Sequence, residues 1–81
     1  MNEKLNQIIR YCENKENELR KARNNKLADK WLTMRDMAAR NKGLQNGMEY
    51  FAEFVDSQMK PGNHLPGTDS YNISAEIKEM L

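Results

Sequence analysis

The sequence DMAARNKGLQNGMEYF, residues 36–51, ends one predicted helix and begins another within a few residues. Glycine adopts the left-handed conformation found just beyond a helix C-terminus at little cost, so we expect a positive φ at Gly43. Leu44 is then placed to fold back toward Ala39 in the last turn. Asn46 is the expected N-cap of the following helix. The stretch therefore predicts a turn at Gly43 between two antiparallel helices.

A long helix is predicted before this turn, because residues 2–42 contain neither glycine nor proline. Apolar residues recur there at helical spacing and form one stripe: Leu5, Ile8, Cys12, Leu19, Leu27, Trp31, Met34 and Ala38. We expect one continuous helix that projects from the domain, since paired asparagines weaken a helix without stopping it. The alternative is a break near Asn24 and Asn25.

A shorter helix is predicted after the turn, from Gly47 to Met59, and Pro61 and Gly62 end it. Ser74 is the expected N-cap of a last short helix that contains Ile77. The fold class is therefore all-α, an antiparallel helical hairpin with a short C-terminal helix. We expect a single domain, with the hairpin in residues 1–60 and a loop and short helix in residues 61–81 that pack back on it.

Self-association is predicted from a mismatch in helix lengths. A 13-residue helix spans about 20 Å, so the second helix covers the first only from about Lys30 to Lys42. The apolar residues left without a partner in the chain are Leu5, Ile8, Ile9, Cys12 and Leu19. Pairing these stripes between two chains removes their apolar surface from water, and a two-fold dimer is the commonest arrangement.

The middle of the chain is strongly basic, although the whole chain carries a net charge of only +1. Residues 20–42 hold eight lysines and arginines against two aspartates. We expect this segment to bind an acidic surface of another protein through Arg20, Arg23, Lys26, Lys30, Trp31 and Arg35. One alternative is a solvated flank, matched in part by Glu49, Glu53 and Asp56 of the second helix. The other is a nucleic-acid contact in which Trp31 stacks on a base.

Residues 39–44, with Ala39, Gly43 and Leu44, resemble the turn of the DNA-binding helix-turn-helix. The helix that would enter the major groove departs from that motif, because it carries three carboxylates and no cation. An ordinary helical hairpin therefore explains these residues better than a DNA-binding motif.

No catalytic, metal or cofactor site is expected from the residue types present. Cys12 is the only cysteine, and His64 is the only histidine. Gly43 and Gly47 lack the Lys-Ser/Thr pair that follows a phosphate-binding glycine loop. With no apolar run of membrane-spanning length and no secretory core near the start, we expect a cytoplasmic location without membrane contact.

These observations lead to two functional hypotheses. The first is a small non-enzymatic interaction module that forms a homodimer and binds another protein, as regulators or inhibitors from bacteria or phages do. The second is a nucleic-acid-binding accessory protein or transcriptional regulator that uses residues 20–42. Salt dependence separates them, because phosphate contacts weaken steeply as salt is added.

Overall fold

Four α-helices form the part of the chain that the computed structural model describes, residues 3–81. Their bounds are Glu3–Lys21 (α1), Asn25–Lys42 (α2), Gly47–Gln58 (α3) and Asp69–Lys78 (α4). No strand occurs in this range, so the all-α prediction is confirmed. Within the same residues, no helix combines the length and the apolar character needed to cross a membrane.

An antiparallel hairpin is present, and its two arms are α1 and α2. The predicted continuous helix is wrong, and the alternative, a break near Asn24 and Asn25, is confirmed, because the chain reverses at residues 22–24. Tyr11 consequently packs edge-on against Trp31, with ring centroids 5.8 Å apart. A continuous helix of about 40 residues would be roughly 60 Å long, whereas the longest dimension of the protein is 37 Å. Folding α1 back on α2 lets the apolar stripe bury itself.

The core draws on all four helices. Its buried side chains are Leu5, Ile8 and Cys12 from α1, Trp31, Met34 and Ala38 from α2, Phe51 and Val55 from α3, and Ile73 and Ile77 from α4. The premise of the self-association prediction is therefore wrong, since the N-terminal apolar residues have partners within the chain. Ile9 and Leu19 also pack against this core, with part of their surface exposed. Dimerisation itself stays a prediction.

The turn between α2 and α3 lies where the sequence places it, but its geometry differs. Gly43 has a φ of −85°, so the predicted left-handed conformation is wrong. Asn46 occupies the N-cap position without a side-chain hydrogen bond, so the predicted cap bond is also wrong. The glycine that the turn requires is Gly47. A Cβ atom there would lie 1.8 Å from the carbonyl oxygen of Asn41, whereas one at Gly43 would meet nothing within 4 Å.

The start of α4 also differs from the prediction. Thr68 is its N-cap, and its hydroxyl accepts a hydrogen bond from the backbone N–H of Tyr71. Ser74, the predicted cap, instead lies inside the helix and is 1% exposed. The longer α4 places Ile73 and Ile77 in the core and brings the helix against α2 and α3.

Candidate partner-binding surface

Three exposed cations surround the connection between α1 and α2. We call this group, Lys21, Arg23 and Lys26, the basic tip. Each side chain is exposed, and none forms an ion pair with any of residues 3–81. Lys21 was not among the predicted binding residues. Its position just before the break between α1 and α2 is the signal that places it in this group. The basic tip is therefore a part of the basic segment that is available to a partner.

Arg23 has a backbone conformation that its side chain disfavours. Its φ is 61°, and it is the one non-glycine residue with a positive φ among residues 3–81. The Arg23 N–H donates a hydrogen bond to the Arg20 carbonyl oxygen at 3.0 Å. The Asn24 N–H donates one to the Leu19 carbonyl oxygen at 2.8 Å. This pair of bonds is the Schellman motif, in which the left-handed residue is usually glycine. An arginine thus occupies a glycine position at the apex of the hairpin.

The start of α2 is held in place by two interactions on either side of Arg23. The Asn24 side chain accepts a hydrogen bond from the N–H of Leu27. Arg20 donates to Glu16 at 2.8 Å and to Asp29 at 2.9 Å, so it joins the end of α1 to the first turns of α2. The hydrogen bonds to Asp29 and Glu16 raise the pKa of the Arg20 guanidinium above its ordinary value. Arg20 is therefore occupied within the chain.

Lys30 and Arg35 also have acidic neighbours. Lys30 lies 3.9 Å from Asp69 of α4, and Arg35 lies 3.9 Å from Glu13 of α1 and 3.3 Å from Asp36. These are exposed or partly exposed pairs, which contribute little stability. They do reduce the positive charge that these two residues offer to a partner.

Trp31 lies in the core at 5% exposure. Its ring is not available on the surface to a base or to a partner protein. The expectation that carboxylates of the second helix match the basic segment is also wrong for Asp56, which pairs with Lys78 of α4 at 2.9 Å. Glu49 and Glu53 form no ion pair within residues 3–81. The basic segment is instead balanced by Glu13, Glu16, Asp29, Asp36 and Asp69.

A polar cluster that the sequence did not predict lies between α1 and α4. The Tyr11 hydroxyl donates to Glu76 at 2.7 Å, and Lys15 lies 3.8 Å from the same carboxylate. The Lys15 ammonium is also 5.5 Å from the centroid of the Tyr11 ring and 5.9 Å from that of Trp31. The hydrogen bond to Glu76 and burial raise the pKa of Tyr11 to about 12. Tyr11 and Glu76 are 65 residues apart, so no local pattern links them.

The one cysteine and the one histidine form no candidate catalytic or metal site within residues 3–81. Burial raises the pKa of the Cys12 thiol to about 12, which keeps it protonated and unreactive near neutral pH. The His64 imidazole contacts the Gln58 side chain at 3.0 Å. Across residues 3–81, no three histidine, cysteine or acidic side chains gather in a metal-binding arrangement.

Comparison with models of known protein families, with curated proteins and with solved structures gives no match.

Proposed function

We propose that this chain is a small non-enzymatic interaction module that binds an acidic surface of another protein through its basic tip. The observation that carries the proposal is Arg23. Its left-handed backbone conformation destabilises the fold, because the residue is not glycine. Strained residues of this kind concentrate at functional sites. Its side chain forms no ion pair with residues 3–81 that would compensate for the strain. A charge presented to a partner is a reason to have arginine at this position.

The geometry of the hairpin supports the same proposal. The basic tip sits at one end of two packed helices, and the Arg20 bridge to Glu16 and Asp29 holds the two arms together there. A charge on a fixed backbone loses less conformational freedom on binding than one on a flexible loop. Opposite charge on the partner would speed association and orient the complex.

Nucleic acid is the second candidate for the same segment, and the contacts favour it less. Of the cations in residues 20–42, Arg20, Lys30 and Arg35 already have acidic neighbours. With Trp31 buried, the segment has no exposed aromatic ring for base stacking. Our first proposal is therefore that the chain binds another protein and acts as its regulator or inhibitor.

Affinity capture with matched charge-reversal variants tests the proposal. We expect Arg23→Glu combined with Lys26→Glu to lose the partner that the parent chain captures from its native source. The control combines Lys4→Glu with Arg40→Glu, two exposed cations at the other end of the hairpin, and it changes the net charge equally. A partner retained by both double variants would overturn the role of the basic tip.

Nuclease treatment and a salt titration separate the two candidates. A protein partner survives nuclease treatment, whereas loss of capture would favour nucleic acid. If three cations contacted phosphates, the logarithm of the affinity would fall with the logarithm of salt concentration with a slope near −3. Far-ultraviolet circular dichroism of each variant confirms that helicity is unchanged.

A further inference from the structure

A cleft of about 190 Å³ opens between α2, α3 and α4. We call it the α4 cleft. Helix α2 supplies one wall, α3 a second and the first half of α4 a third. Its lining residues are Lys30, Thr33, Met34, Phe54, Gln58, Ser70, Ile73 and Ser74. No aspartate or glutamate is among them; the Lys30 ammonium lines the cleft, and the Asp69 carboxylate lies 3.9 Å from it.

The polar groups of the α4 cleft include hydrogen-bond donors that have no acceptor within residues 3–81. Lys30 lies 3.9 Å from Asp69, which is beyond the usual 2.7–3.2 Å of an N–H···O hydrogen bond. Its three N–H groups therefore form no hydrogen bond within residues 3–81, although Asp69 offsets part of the positive charge. The Ser70 hydroxyl forms no hydrogen bond within residues 3–81, while that of Thr33 already donates to the Asp29 carbonyl oxygen. A ligand that accepts hydrogen bonds and carries negative charge fits these groups.

Ser74 is an independent observation at the same cleft. Its residue is 1% exposed, and its hydroxyl is buried without a hydrogen-bond partner in residues 3–81. Buried hydroxyls in folded proteins nearly always have a partner, so each exception needs a reason. Its oxygen has almost no accessible surface, so an acceptor on a ligand would reach this hydroxyl once the Ser74 side chain rotates toward the cleft.

The apolar lining sets the size and character of the rest of the ligand. Met34, Phe54 and Ile73 contribute apolar surface to the cleft. An apolar cavity of about 150 Å³ is known to accommodate benzene, so about 190 Å³ holds one ring and a small polar group.

A second cleft on the other side of Ile73 gives a contrast in charge. It has a volume of about 290 Å³ and is bounded by Glu18, Asp69 and Glu76, with Lys15 as its one cation. Three carboxylates against one cation disfavour an anion there more strongly than at the α4 cleft, where the Asp69 carboxylate lies beside Lys30.

We propose that the α4 cleft binds a small organic carboxylate with a ring-sized apolar body. The apolar side chains enclose the ring, while Lys30 and the hydroxyls of Ser70 and Ser74 donate to the carboxylate. This site uses none of the basic tip residues, so it stands or falls separately from the proposed protein partner.

Titration of the full ¹⁵N-labelled chain with benzoate tests the proposal by amide chemical shifts. We expect saturable shifts at Thr33, Ser70 and Ser74, with a Kd on the order of 1 mM, an affinity that ligands of this size reach. Benzamide, which has the ring without the charge, and acetate, which has the charge without the ring, should each bind at least fivefold more weakly. Equal affinity for benzoate and benzamide, or shifts that do not saturate, would overturn the proposal.

Two variants test the named donors. Lys30→Gln should weaken benzoate binding at least fivefold, while Lys4→Gln, which removes an exposed lysine near the start of α1, should leave it unchanged. Ser74→Ala should weaken binding and raise the melting temperature, because it removes a buried hydroxyl without a partner. Equal benzoate affinity for Lys30→Gln and Lys4→Gln would overturn the role of Lys30. Unchanged binding in Ser74→Ala would overturn the role of the hydroxyl.

Discussion

Replacing Arg23 with glycine should make the protein more stable, although arginine is the native residue. A left-handed backbone costs a residue with a Cβ about 1–2 kcal/mol, and glycine avoids that cost. Against this, glycine adds conformational freedom to the unfolded chain worth about 0.4–1 kcal/mol. The Arg23 side chain makes no ion pair within residues 3–81, so its removal costs little else. The expected net gain is therefore about 0.5–1 kcal/mol.

The measurement is urea unfolding followed by far-ultraviolet circular dichroism, together with a thermal melt. For a domain of this size, 1 kcal/mol corresponds to about 4–8 °C in melting temperature. Arg23→Ala is the matched control, since it removes the same charge and side chain but keeps the Cβ atom. Repulsion within the basic tip changes equally in both variants, so their difference reports the backbone alone.

The result that would refute this reasoning is an Arg23→Gly variant no more stable than Arg23→Ala. It would mean that the connection relaxes out of the left-handed conformation at little cost, and Arg23 would lose its status as a strained residue. If Arg23→Gly is more stable but captures the partner less well, arginine has been kept for binding at the expense of stability.

Three further predictions follow from contacts in the core and the turn. Gly47→Ala should destabilise by more than about 2 kcal/mol in urea unfolding, because its Cβ would collide with the Asn41 carbonyl oxygen, whereas Gly43→Ala should match the parent. Tyr11→Phe should cost about 1 kcal/mol by removing the hydrogen bond to Glu76; an unchanged urea midpoint would contradict this. The pKa of Tyr11 rises from 10.0 to about 12 on folding, so its contribution is complete below pH 10 and is lost as the pH rises toward 12. Urea midpoints measured across that range should fall less steeply in Tyr11→Phe than in the parent.

The break in the first predicted helix shows where local pattern fails. Residues 2–42 lack glycine and proline, so nothing in the sequence requires the helix to stop. The chain nevertheless reverses at Arg23, because burying Leu5, Ile8 and Cys12 against the rest of the core outweighs the strain of one left-handed residue. Fully burying a Leu or Ile side chain contributes about 1.5–3 kcal/mol, whereas the strain costs about 1–2 kcal/mol.

For the candidate sites too, the sequence gives the local features and the tertiary structure decides which residues come together. The sequence identified the basic segment correctly as a concentration of charge, but only the pairing of helices shows that Arg20 is engaged and Arg23 is not. Thr68 could have been recognised as the cap of α4, because a threonine followed by an acidic residue after a Pro-Gly turn is a typical helix start. The α4 cleft could not have been foreseen, since its residues come from three helices.

The sequence by itself determined that this protein is all-α, that Leu5, Ile8, Trp31 and Met34 lie on apolar helix faces, and that a turn separates Lys42 from Gly47. Helix formation and apolar periodicity depend on residues three and four apart, so a single chain segment carries that information. Only the tertiary structure decided that Arg23 is left-handed and that Gly47, rather than Gly43, is the indispensable glycine. Those outcomes depend on which surfaces distant helices bury together and on how closely their backbones approach.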